Sequence, residues 1–245
     1  MGSPASGNGG RPSWLFMLPR DIFLFLQSAR TDQRVALQRS TDGAQAAFES
    51  VYADLEDPWA SADPRYSYQR WKYQGVMAAL PPGRRFARAL DLGAGMGALS
   101  LALTEVADDV LGLDIAQSAV DQARRRTGTQ AGLRFVQGDL GALDPALDGC
   151  FDLVVVADTL YYMDRTDDTS LKDTATRIAR LLAPGGLCLL ANHYFFAGDT
   201  DSKLTRRIHD AFAWSPSLDL ISVRRRPFYL TSLLSLAAPA LALPA

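Results

Sequence analysis

Two cysteines and two histidines in 245 residues leave several chemistries without material. Cys150 and Cys188 stand far apart, each in or beside an apolar run, so there is no disulfide framework and no zinc-type spacing. Both read as buried, inert thiols. His193 and His209 complete a set too sparse for a dedicated metal centre, and no metal is expected. Charge of one sign is also lacking. The 25 basic and 27 acidic residues give a net charge of −2, with no general attraction to nucleic acid. The runs Arg124–Arg126 and Arg224–Arg226 read as solvated ends of a helix and a strand. A long hydrophobic run is missing too. Trp14–Leu18 and Ile22–Leu26 are split by Pro19, Arg20 and Asp21, too short and too interrupted to span a bilayer. The same segment lacks the basic start and cleavage site of a signal peptide. A cytoplasmic protein without stable membrane insertion is therefore expected.

What is present is an alternation. Apolar residues make up 48% of the chain and charged residues 21%, ordinary for a globular domain. Residues 1–12 are small, polar and glycine-rich and are expected to be a disordered tail. Residues 13–84 read as a helical cap: a helix over 13–37, another over 43–56 with Phe48, Val51, Tyr52 and Leu55 on one stripe, and a third from Tyr68 to Leu80. Asp57-Pro58-Trp59 breaks the second, and Pro81-Pro82-Gly83 stops the third. Strands then alternate with helices from Phe86 onward. The fourth strand, Phe151–Ala157, is almost wholly apolar, as a strand covered on both faces must be. A fifth, Leu187–Asn192, follows the Pro184-Gly185-Gly186 turn. Two more surround Arg224–Arg226. This pattern predicts an α/β fold of seven strands with helices on both faces, spanning 85–234, then a tail over 235–245.

Residues 88–100 carry the chemistry. An apolar run ends in Asp91, and Gly93, Gly95 and Gly97 follow at alternate positions before a helical pattern resumes. Glycines there let the chain turn sharply and bring backbone close to a ligand. Asp114 closes the next strand, where an acid can bond ribose hydroxyls. Gly93-x-Gly95-x-x-Ala98 alone also fits an NAD-binding fingerprint.

The ordered set Asp91-x-Gly93-x-Gly95-x-Gly97, Asp114, Gly138-Asp139-Leu140, the Phe151–Val156 strand and Pro184-Gly185-Gly186 resembles class I S-adenosylmethionine-dependent methyltransferases. Phe151–Met163 and Asp57-Pro58-Trp59 resemble more closely the nodulation protein S group of N-methyltransferases. The resemblance implies a Rossmann-like seven-stranded sheet whose last strand is antiparallel. It implies S-adenosylmethionine as cofactor and S-adenosylhomocysteine as product. It also implies Asp91, Gly93, Ala94 and Gly95 near the methionine end, Asp114 and Ile115 at the ribose, Asp139 and Leu140 around the adenine, and Ala157 at the end of the fourth strand. Trp59, Tyr68 and Lys72 belong to the segment that folds over the cofactor in this family. Asp158 stands where that group often has Glu, and residues 1–40 have no counterpart in it.

Asp158 and His193 end two strands and are the candidate catalytic residues, able to orient an acceptor and take its proton. Tyr161 follows, with a ring suited to a sulfonium. His209, among basic neighbours, reads as surface. The expected function is methylation of a small molecule: an amine on a sugar or glycosylated natural product, with a hydroxyl acceptor and an NAD-dependent oxidoreductase as the alternatives.

Overall fold

The computed structural model describes residues 19–195 and 197–238. The expected tail at 1–12, residues 13–18 of the cap and the last residues of the C-terminal tail lie outside them.

Three helices come first: α1 (Pro19–Asp42), α2 (Ala44–Asp54) and α3 (Ser67–Met77). Pro19 is the first described residue of α1. The helix runs five residues past the expected end at 37. The alternating part follows as β1 (Phe86–Leu92), α4 (Ala98–Leu103), β2 (Ala107–Asp114), α5 (Gln117–Thr127), β3 (Leu133–Gln137), β4 (Phe151–Ala157), α6 (Asp168–Leu181), β5 (Leu182–His193), α7 (Thr200–Ala213), β6 (Leu218–Arg226) and β7 (Tyr229–Leu236). The sheet order is β3-β2-β1-β4-β5-β7-β6. The first five strands are parallel, and β7 runs antiparallel to both β5 and β6. This is the expected seven-stranded Rossmann-like sheet.

Strand periodicity divides the core in two. Leu90, Leu92, Val154, Val156 and Leu190 point to one face, against Leu171 and Ile178 of α6 and Ile208 and Phe212 of α7. Ala89, Leu153, Val155, Leu189 and Ala191 point to the other, against Val76 of α3 and Leu99 and Leu103 of α4. Alternate residues of one strand serve opposite faces, so β4 needs apolar side chains throughout. Its one polar residue, Asp152, accepts from the amides of Ala87 and Arg88 at 2.8 and 3.0 Å, where the β1–β4 ladder has not yet begun.

Two strand boundaries differ from expectation, as does the place of His209. β5 starts at Leu182, because Pro184–Gly186 bulges out of a strand already paired: Phe151 faces Leu182 and Leu153 faces Leu187. β7 continues to Leu236, two residues past the expected domain end, where it pairs with Leu218. His209 is buried, not at the surface, with 4% of its area exposed. One helical turn sets it beside Thr205, Ile208 and Phe212 on the inner face of α7. There its Nδ1 meets Ser232 Oγ at 2.7 Å and its Nε2 meets Asn192 Oδ1 at 3.2 Å. Burial holds its pKa down at about 3.

The order of the strands reverses between β1 and β4. In open α/β sheets the crevice beyond the carboxyl ends of the strands at such a point is where ligands bind.

Candidate active site

A cavity of about 820 Å³ opens at that reversal, well within the size of small-molecule sites, roughly 300–1,000 Å³. The three N-terminal helices wall it. Phe25, Ser28 and Asp32 come from α1, Phe48 and Tyr52 from α2, and Tyr68, Lys72 and Tyr73 from α3. Bonds from α1 to distant loops hold this wall. The Thr31 hydroxyl donates to Pro58 O at 2.6 Å, and Arg39 donates to Met163 O at 3.2 Å. Asp57 accepts from the amides of Ser61 and Ala62, both at 2.9 Å, and so fixes the turn that presents Trp59 to the cavity. No described helix is long and apolar enough to cross a membrane.

At the β1 end the chain turns through Gly93 and Gly95, at φ +75° and +50°, in the left-handed region that side chains disfavour. The amides of Gly93 and Ala94 both donate to Leu113 O, at 2.8 and 3.0 Å. A Cβ on Gly93 would lie 2.3 Å from Thr159 Oγ1, and one on Gly95 would lie 2.7 Å from the Tyr52 hydroxyl. Only bare backbone fits between β4 and α2, and it faces the cavity. Asp114 lines the cavity as well. Its Oδ2 accepts from Gly95 N at 2.8 Å and its Oδ1 from Ala116 N at 3.0 Å. Burial raises its pKa, and these amides oppose the rise. Ile115, Asp139, Leu140 and Ala157 line the same wall. Asp139 accepts from Gly141 N at 2.8 Å and caps a short 3₁₀ turn.

Asp91 departs from expectation. It does not line the cavity but is buried beneath the glycine turn, accepting from Ser100 Oγ at 2.6 Å. Burial pushes its carboxyl up to about 6. It ties β1 to α4 because its side chain leaves the strand on the helix-covered face.

At the β4–β5 end, Asp158, Tyr161 and His193 come together as expected. Asp158 has φ +53° and donates its amide to Ala191 O at 2.8 Å, which curls the chain back over β5. Strain of this kind in a non-glycine residue clusters at functional sites. Its Oδ1 accepts from His193 N at 3.0 Å, and its Oδ2 pairs with the buried ammonium of Lys72. Burial works against the Asp158 charge, but Lys72 and His193 outweigh it and hold the carboxyl below its ordinary range. Lys72 was expected with the cofactor; it lines the cavity, but its ammonium is committed to Asp158. The His193 Nδ1 lies 2.9 Å from the Tyr161 hydroxyl and 3.9 Å from Asp158 Oδ1. Among the described residues His193 Nε2 takes no hydrogen bond. Trp59 and Tyr68 line the cavity, with Trp59 Nε1 donating to Asp32 at 2.7 Å and the Tyr68 hydroxyl to Phe228 O at 3.3 Å.

Sequence reasoning passed over Asp32, Phe48 and Tyr52. Phe48 and Tyr52 were visible as a helical stripe and read as packing. Nothing local marks Asp32, whose partners stand 27 and 130 residues away.

Comparison with known proteins gives a consistent result. Residues 90–190 match the family described as a methyltransferase domain. Over 185 residues the chain is 30% identical to YqeM of Bacillus subtilis (strain 168), which carries a methyltransferase name, covering 71% of this chain and 69% of that one. Nodulation protein S of Rhizobium tropici is 29% identical over 154 residues, covering 63% of this chain and 60% of that one, so the match stops short of that relative's full length. Among solved structures, the N-methyltransferase NodS from Bradyrhizobium japonicum WM9 in complex with S-adenosyl-L-homocysteine superposes with a TM-score of 0.65 at 19% identity, over 79% of this chain and 98% of that one.

Proposed function

The chain belongs to the class I S-adenosylmethionine-dependent methyltransferases, and from that membership we propose that it methylates a nitrogen of a small molecule, an amino group on a sugar or glycosylated natural product in the cytoplasm. The dinucleotide reading of the glycine turn gives way to the family. In this reading Gly93, Ala94 and Gly95 approach the methionine end of the cofactor, Asp114 and Ile115 the ribose, and Asp139 and Leu140 the adenine. The bare backbone of the turn and the spare lone pairs of Asp114 fit such a ligand, since each Asp114 oxygen has used one acceptor site on an amide. The cofactor supplies a methyl group on a sulfonium, already activated for displacement. What the chain's own residues add is alignment and exclusion of water.

The observation that carries the proposal is the relay at the β4–β5 end. In this reading His193 Nδ1–H donates to the Tyr161 hydroxyl with Asp158 alongside, which leaves Nε2 for the acceptor. Lys72 keeps Asp158 ionised, so Asp158 orients the relay and His193 removes the proton. An amine attacks only when neutral. If its pKa lies near neutrality it sheds its proton readily, and His193→Ala should slow single turnover about tenfold. A hydroxyl needs the base, and the loss should then approach about 10²–10⁴-fold. Rates measured across pH for His193→Ala and Asp158→Asn, with glucosamine as acceptor, test this. Wild-type rates in both variants would remove the relay from the chemistry.

Residues 13–84 would act as a lid over this cavity, as helices α1–α3 already wall it. Hydrogen exchange should slow within that segment when S-adenosylhomocysteine binds; no added protection there would count against a lid.

A further inference from the structure

Asp32 is a carboxylate of the cavity wall that neither the relay nor the cofactor end uses. Asp32 projects from the middle of α1, and its Oδ1 accepts from both Trp59 Nε1 and the Tyr162 hydroxyl. Those two rings and Phe48 form a continuous aromatic wall, with centroids 5.2 to 6.1 Å apart. The carboxylate is therefore clamped at the edge of the wall by two donors that are themselves rigid. Its Oδ2 takes no hydrogen bond among the described residues, and Asp32 makes no ion pair among them. Three cations of α1 and α3 are committed elsewhere: Lys72 to Asp158, Arg39 to the carbonyls of Tyr161 and Met163, and Arg34 to Asp54, while His193 is the basic group that acts on Asp32. Burial disfavours the charge on Asp32, so a positive group arriving beside it is favoured.

We propose that Asp32 and the Phe48–Trp59–Tyr162 wall bind a positively charged group of the acceptor, separate from the atom that is methylated. The reacting atom sits at His193. Tyr162 and Tyr161 have centroids 4.6 Å apart, and Tyr161 and His193 4.5 Å, so a run of ring contacts joins the two positions. The acceptor class this selects is a small molecule with a nucleophilic nitrogen or oxygen and a second, permanently cationic group that reaches Asp32. Carboxylate and aromatic faces together attract an ammonium, each by charge or quadrupole.

The inference rests on the acceptor end of the cavity lying at β4–β5, and its test reads binding rather than turnover. Choline and its neutral isostere 3,3-dimethylbutan-1-ol are titrated by calorimetry into the full chain, with and without S-adenosylhomocysteine. No methyl donor is present, so no reaction disturbs the measurement. The expected result is a preference of about tenfold for choline, from about 1.4 kcal/mol of charge and cation–π attraction. Asp32→Asn should abolish that preference while leaving S-adenosylhomocysteine affinity unchanged, because the amide oxygen still accepts from Trp59 and Tyr162. Equal affinity for the two probes in the wild type, or a preference that survives Asp32→Asn, overturns the proposal. Weakened S-adenosylhomocysteine binding in Asp32→Asn also overturns it, by moving Asp32 to the cofactor. A choline preference that appears whether or not S-adenosylhomocysteine binds keeps the cation site; failure of S-adenosylhomocysteine to bind at all breaks the cofactor reading instead.

Discussion

At the β1–β2 end of the cavity backbone holds the polar groups, whereas at the β4–β5 end side chains hold side chains. Gly93 and Ala94 donate to Leu113, Asp114 accepts from Gly95 and Ala116, and Asp139 accepts from Gly141. Every one of those bonds joins residues within about one strand–turn–strand of each other. At the other end Lys72 reaches Asp158 across 86 residues, and Tyr162 reaches Asp32 across 130. The first end is rigid because its geometry is written into a turn. The second depends on three separate elements docking correctly, and only it can be retuned for a new acceptor by changing side chains.

The largest effect should come from breaking the side-chain end. Lys72→Met strands the Asp158 carboxylate, and loss of one partner of a buried pair costs about 3–5 kcal/mol. Chemical denaturation should show a loss near the lower figure, since Asp158 keeps some contact with the cavity, and adding Asp158→Asn should restore part of it. Full additivity of the two substitutions would mean the pair is not coupled.

Next comes the backbone end. Gly93→Ala combines a positive φ with a contact to Thr159 that cannot form, so about 3 kcal/mol of cofactor affinity, or about 10²-fold, should be lost in calorimetry with S-adenosylhomocysteine. Little change would show that the turn yields and is not the rigid partner in the comparison. Asp114→Ala should cost less, about 1–3 kcal/mol of the same affinity. Unchanged binding there would take Asp114 away from the ribose.

The smallest net effect is set by the two buried groups that stand behind the two ends, whose pH slopes oppose each other. Asp91, under the glycine turn, has its carboxyl raised to about 6, while His209, behind β5 through Asn192, is lowered to about 3. Between pH 3.8 and 6 the folded Asp91 holds a proton that the unfolded chain releases, so its contribution weakens as pH rises through that window. His209 has the opposite sign. The unfolded imidazole takes a proton below about 6.5 and the folded one does not, so stability is lost as pH falls from 6.5 toward 3. Each contributes a slope of up to about 1.4 kcal/mol per pH unit, and the two oppose each other where the windows overlap. His209→Gln should flatten the acid loss of stability, and Asp91→Asn should steepen it. Identical pH profiles for both variants and the wild type would show that neither group is as buried as its contacts imply.

The same contrast governs what could be read beforehand. The β1 turn, Asp114 and Gly138–Leu140 were legible because a strand end, a tight turn and a ligand-facing acid occupy consecutive positions. β4 was legible because a strand covered on both faces has no room for alternation. Asp91 was misplaced because its neighbours in sequence, not in space, suggested a ligand. His209 was misplaced because charged neighbours along the chain said nothing of which face of α7 turns inward. Lys72 could be assigned to the cavity but not to its partner.

By itself, then, the sequence determined the parallel sheet, the glycine turn at its reversal and the membership in a methyltransferase family, since local periodicity and short-range backbone geometry are set by consecutive residues. Only the tertiary structure decided that α1 walls the cavity, that Lys72 belongs to Asp158, and that Asp32 meets Trp59 and Tyr162. Those contacts join segments far apart in the chain, and their geometry exists only once helices and sheet have packed.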